Sequence, residues 1–397
     1  MTDAFLPAHF LIDWLNLLLR WAHLVVGIAW IGTSFFFIWL DLALSRREGQ
    51  APGILGSAWL VHGGGFYDVA KYTVAPASLP PELHWFKWEA YLTWATGLGL
   101  LVVLYYAQAS LYLIDPVRAA LSPAQASAIG LLSLLAGWFV YDMLVRWLAD
   151  RPGLLAAALF AVIVAAAWGY GRLFSGRGAL IHVGALVGTW MAANVFAVII
   201  PNQKKVIASL LRHDAPDPAL GKAGKVRSVH NTYLTLPVLL LMVSNHYPFL
   251  TGHRQLWLVV ALIVLTGAAV RHLLSRFEAG EKLRRYAWAA PVAVAGLAGL
   301  VVATAPTARQ VASRPADATV LAIAQKHCAA CHADRPSFPG FTEPPKELRL
   351  QTLAQLRANA ARVHAQAVAS QVMPPGNVTG ITAAERAALG AWLAAAR

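Results

Sequence analysis

Charge is what this 397-residue sequence has least of: Asp, Glu, Lys and Arg make up 13% of it, about half the share in an ordinary globular protein. With 58% hydrophobic residues beside so few charges, a wholly soluble globule is excluded, and so is a disordered chain, which needs the opposite balance. Cysteine is scarcer still. Two residues in the whole chain cannot build a disulfide framework or a four-cysteine metal site. The first apolar run has no basic segment ahead of it and no small-residue cleavage site, so it reads as a spanning helix and not as a removable leader. There is no internal repeat of the kind that builds inverted-topology carriers.

Long apolar runs are present instead. Stretches of roughly 18 or more mainly apolar residues, each enough to cross the hydrocarbon core as a helix, occur at eight places: 11–40, 90–113, 127–147, 154–171, 180–200, 229–247, 255–275 and 288–306. Basic residues stay on the cytoplasmic side. The connections 41–89, 148–153, 201–228 and 276–287 carry fifteen Lys and Arg between them, and the alternate connections carry four. Both termini are therefore expected outside, as a multi-pass protein whose C-terminal segment is periplasmic or its equivalent. The net charge of +13 is accounted for by topology and attraction to the lipid bilayer, and no nucleic-acid partner is required.

The chain changes character at "TAPTARQVASRPADAT", where apolar helix gives way to a linker, 307–315, and a soluble segment, 316–397. Both cysteines sit in "QKHCAACHAD". C-x-x-C-H is the attachment signal of a c-type haem, with thioether bonds from Cys328 and Cys331 and His332 as proximal iron ligand. A zinc half-site lacks a further Cys to close it, and a redox disulfide expects a βαβ context that this Ala-rich segment lacks. Met373, in "SQVMPPGNVTGIT", is a suitable sixth ligand held by a stiff Pro-Pro loop. The fold expected is all-α: a polytopic membrane bundle of about eight transmembrane helices over 1–306, then a small class I cytochrome c domain. In that domain a helix at 316–327 crosses a C-terminal one at 382–396, with Trp392 in the core. A domain of about 80 residues rarely holds together on its core alone, and covalent haem would staple it.

Within the membrane part, Asp13, Asn16, Arg20, His23, Gly27, Trp30 and Ser34 recur three and four apart, which puts them on one helix face directed inward. Ionisable groups at membrane depth are functional candidates. His23 could ligate a b-type haem or could simply be hydrogen-bonded between helices. His182, His230, His246 and His272 fall near the ends of the expected spans, and His230 is the preferred partner for His23 if a second haem is present. The connection 41–89 contains three consecutive glycines between short alternating runs, a hairpin or tight-loop signal. It is dense in His62, Lys71, His84, Lys87 and aromatics, which suit either an interfacial belt or a site for a flat anionic heterocycle.

"DWLNLLLRWAHLVVGIAWIGTSFFFIWLD", "HGGGFYDVAKYTVAP", "ELHWFKWEAYLTW" and "IPNQKKVIASL", followed by the CxxCH segment, resemble the bacterial membrane-bound urate oxidases (urate hydroxylases) of purine catabolism across essentially the whole chain. The resemblance implies oxidation of urate to 5-hydroxyisourate with water as oxygen source. Electrons would pass through haem c to a further cytochrome c or a terminal oxidase. On that chemistry His62 and His84 are the candidate general bases, with Lys71 or Lys87 as countercharge. A non-catalytic membrane cytochrome, carrying electrons from quinol or a dehydrogenase to a terminal oxidase, explains the haem and the anchor equally well but leaves the "HGGGFYDVAKY" loop without a purpose. A transporter or sensor with a fused cytochrome has no supporting motif.

Overall fold

The structure is a computed structural model that describes residues 8–73, 76, 79–305, 315–339 and 341–394. The expected linker at 307–315 lies, apart from Pro315, outside the described residues. The chain opens with α1 (Ala8–Ala43) and a hairpin of β1 (Ile54–His62) and β2 (Gly65–Tyr72). Then come α2 (Trp88–Leu101), a π-helical turn at Val102–Tyr106 and the short α3 (Ala109–Tyr112). The bundle continues through α4 (Pro123–Leu148), α5 (Pro152–Leu173) and α6 (Gly176–Ala193), which runs on through a second π-helical turn, Asn194–Ile199, into α7 (Ile200–Leu211). It closes with α8 (Pro218–Val243), α9 (Pro248–Thr251), α10 (Leu256–Glu278) and α11 (Ala289–Thr304).

Each of the eight apolar runs lies mostly on helix, and five helices are long and apolar enough to cross a membrane: Phe10–Ala43, Pro123–Leu148, Pro152–Leu173, Gly176–Leu211 and Leu256–Glu278. The others fall short for separate reasons. A turn at Ala107–Gln108 ends the helix within the run at 90–113, α8 starts eleven residues early among Lys222, Lys225 and Arg227, and α11 has only 16 residues. The hairpin is the exception to an all-α chain. Its turn needs Gly63 and Gly64, both at positive φ (59° and 82°), where a side chain would be strained.

The helix sequence explains the layering. Apart from Arg177, His182 and Thr189, α6 is apolar and interrupted by Gly and Ala, so neighbours approach it closely; Leu180, Val183, Leu186, Val187 and Trp190 are at most 2% exposed. Helices α4, α5 and α8 pack around it. Helix α1 lies at the edge against α2. Its polar face turns inward only in part: His23, Gly27, Trp30 and Ser34 are half-buried, whereas Asp13 and Arg20 are exposed.

The C-terminal domain comprises α12 (Asp317–His327), α13 (Ala329–His332), α14 (Leu353–Ala358), α15 (Ala360–Val363) and α16 (Ala383–Ala394). As expected, α12 packs on α16 and Trp392 is fully buried, its Nε1–H donating to Asp317 at 2.6 Å. The domain rests on one rim of the bundle, where α3 meets 375–377 and α9 meets 364–369. Contact is backbone to backbone. A Cβ on Gly252 would overlap the Ser370 carbonyl oxygen, and one on Gly376 would fall 2.6 Å from that of Ile114. Gly252→Val is therefore expected to separate the domains: amide exchange at 369–377 should quicken at least tenfold, while the C-terminal domain keeps its own unfolding temperature.

Candidate functional site

The cysteines and histidine of the CxxCH segment are brought together by local helix geometry. Helix α12 ends at His327, and α13 turns so that the amides of Cys331 and His332 both donate to the Cys328 carbonyl, at 3.2 and 2.8 Å. Cys328 packs, with Met373, against the apolar cluster of Val320, Leu356, Leu389 and Trp392. The His332 ring is oriented from behind: its Nδ1 and the Leu348 carbonyl are 2.9 Å apart, which fixes the ring and leaves Nε2 as the nitrogen turned away from that contact. The two thiols are free. Burial pushes the Cys328 thiol up to about 11, so it is not a standing thiolate. Among the described residues no group of three or more His, Cys, Asp or Glu is gathered closely enough to hold a metal ion between them. Two free thiols, a ring held by one nitrogen and a thioether on the same core do fit a haem c.

The Met373 loop is clamped from beneath. Arg386, 5% exposed, donates to the carbonyls of Ala367 and Met373 and to the Asn377 side chain, and the Met373 amide donates to Gln366 at 3.0 Å. Beside Arg386 in the chain, Glu385 closes the start of α16. Hydrogen bonds from the Thr382 backbone and hydroxyl, then from His327 and Lys326, hold its carboxyl down to about 2 against an ordinary 4.5. Because the folded value is depressed, its contribution to stability is complete above pH 4.5 and disappears as the pH falls towards 2. Glu385→Gln is expected to remove that acid-dependent loss, which thermal unfolding between pH 6 and the acid limit would read directly.

The loop residues expected to form a substrate site are not gathered into one. His62 is exposed beside the hairpin turn, paired across it with Gly65. Lys71 lies at the other end of the hairpin, opposite Gly56. Six residues of strand separate the two, about 20 Å at 3.3 Å each. Lys71 is bound to Asp41, which Lys225 also reaches at 3.2 Å. His84 is exposed and edge-on to Phe86, and Lys87 sits over Trp85 and Trp88. His23 and His230 turn to different helices as well: His23 Nδ1 lies 3.0 Å from the Thr93 carbonyl on α2, and His230 Nδ1 lies 2.8 Å from the Tyr141 hydroxyl on α4. His230 stands mid-helix, since α8 begins well before the expected 229.

Around His230 the bundle holds a polar network that the sequence reading missed. Asn194, at the π-helical turn, donates to the Tyr141 hydroxyl and to Asn231, each at 2.8 Å, and Arg227 reaches Asn194 and Asp142. Arg227 lies 5.0 Å from the Tyr141 ring. The spacing of Arg227, His230 and Asn231, three and four apart on one face, was the available signal. A second buried group, His182, lies among Tyr105, Tyr106, Tyr170 and Phe174.

The helices that carry both clusters fall within a single match to known families: the urate oxidase N-terminal family, over residues 9–305. The chain belongs to the urate oxidase N-terminal family. No curated protein and no solved structure matches it. The urate oxidase match spans the bundle, the hairpin and the docking rim, and ends before α12. The Cys328, Cys331, His332 and Met373 site is thus read from its own residues, as an addition to the urate oxidase region.

Proposed function

We propose that this protein is a membrane-bound urate oxidase of the bacterial inner membrane. It converts urate to 5-hydroxyisourate with water as oxygen source and passes the electrons through its own haem c to a respiratory acceptor. The observation that supports this most is the combination of a urate oxidase family region with a docked domain whose Cys328, Cys331, His332 and Met373 fit a covalent haem. The group supplies one-electron redox chemistry when bound; Cys328 and Cys331 hold it, and His332 and Met373 ligate its iron. The balance closes. The urate monoanion and one water give 5-hydroxyisourate, one proton and two electrons, and the electrons leave singly to a cytochrome or terminal oxidase on the periplasmic side. No second haem is needed in this scheme if two transfers follow one another.

An anaerobic absorbance spectrum of the oxidised holoprotein tests the reading. Added urate is expected to reduce a c-type band, while xanthine leaves it unchanged. A spectrum unmoved by urate but reduced by quinol would leave a membrane electron carrier instead.

A further inference from the structure

Between the two domains lies a cleft of about 340 Å³, within the size range of small-molecule sites. The bundle lines it with Tyr112, Asp115, Arg118, Arg177 and Arg254, and the C-terminal domain with Arg386 and the loop that bears Met373. Four guanidinium groups face one carboxylate. Two of the four are engaged: Arg118 donates to Asp115 at 3.2 Å and to the Gly171 carbonyl at 2.7 Å, and Arg386 is spent on the Met373 loop. Arg254 is exposed at the cleft. Arg177 is different. Its guanidinium carbon lies 5.2 Å from the centre of the Tyr112 ring, and its Nε is buried without a hydrogen-bond partner among the described residues. A buried donor left unpaired costs about 1–3 kcal/mol, more when charged, and such a group in a native fold points to a ligand or water that completes it.

We propose that this interdomain cleft is where the urate monoanion binds and gives up its electrons, with Arg177 as the charge partner and Tyr112 holding the guanidinium flat. The inference rests on the urate-oxidising reading above and gives it a place. Planar anions suit a guanidinium that is held by a ring and still has free N–H groups. The cleft also answers the transfer problem. Its C-terminal wall is the segment that carries Met373, so substrate and haem site share a wall and no intermediate carrier across the bundle is required. The oxidation is the one balanced above, with electrons crossing the shared wall one at a time and moving on to the respiratory acceptor.

The test uses the purified holoprotein in detergent without oxygen, as wild type, Arg177→Gln, Arg177→Lys and Arg254→Gln. Equilibrium binding of radiolabelled urate and the rate of haem reduction by urate are read side by side, with reduction by ascorbate as control. Arg177→Gln is expected to weaken urate binding at least tenfold and to slow reduction by urate, with haem content and ascorbate reduction unchanged; Arg177→Lys should recover part of the loss. Arg254→Gln, at an exposed position, should raise the urate concentration for half-maximal reduction at least threefold. It keeps the test decisive if Arg177→Gln fails to fold. Wild-type behaviour in either glutamine variant overturns the cleft and leaves the urate reading standing, whereas a wild type that neither binds nor is reduced by urate overturns both.

Discussion

Cys328→Ala with Cys331→Ala is expected to yield a protein without covalent haem, whose C-terminal domain no longer unfolds cooperatively and which urate cannot reduce. The core of that domain is small. Val320, Leu356, Leu389, Trp392 and Leu393 are fully buried, but Cys328 and Met373 are only partly buried at the border of the same cluster. A domain of about 80 residues seldom keeps more than about 3–5 kcal/mol from its core alone, so removing the staple consumes most of the margin. Haem staining after denaturing electrophoresis reads the covalent bond, and urea unfolding followed by Trp392 fluorescence reads the fold. A doubly substituted protein that still unfolds in one sharp step would mean that packing alone suffices. The bundle, with its separate core around α6, should be unaffected.

Arg386→Met should have the second largest effect. The side chain is buried and serves three oxygens at once, those of Ala367, Met373 and Asn377. Methionine fills much of the volume but donates nothing, so those oxygens lose a charged donor; a hydrogen bond to a charged group contributes about 1.5–3 kcal/mol, and three on one side chain do not add fully. A net loss of about 3 kcal/mol corresponds to a fall of roughly 12–24 °C in the Tm of a domain this size. Because the Met373 carbonyl is among those released, the absorption signature of thioether-ligated ferric haem should weaken in parallel. A stable variant that keeps the signature would show that the Pro-Pro segment positions Met373 unaided. Arg386→Lys should recover part of both losses.

The parts of this molecule legible in its sequence are those governed by short-range rules. The eight apolar runs lie mostly on helix because a helix satisfies its own backbone within the segment, as an apolar surrounding requires. The glycine triplet at 63–65 foretold the hairpin because only glycine adopts its turn freely. The contacts within the CxxCH segment were legible because three of the four proposed haem ligands lie within five residues. What escaped depends on partners far apart in the chain. The chemistry of His62, Lys71, His84 and Lys87 suggested a shared site, yet a hairpin holds its turn and its open end apart by construction. Arg227 was counted as a topology signal, because nothing local shows that Asp142 and Asn194 wait for it on other helices. The π-helical turn that aims Asn194 has no residue signature of its own.

The docking rim limits traffic as well as placing the domain. Residues 369–377 are pressed on the bundle through glycine contacts too close for water to separate, so an outgoing partner protein cannot use that edge while the contact lasts. Under the proposed reading, either such a partner takes another edge of the domain, or the domain must lift away from the rim between successive electrons. In the second case turnover would slow as the solution thickened, and the slow step would be a movement of the protein instead of a chemical one.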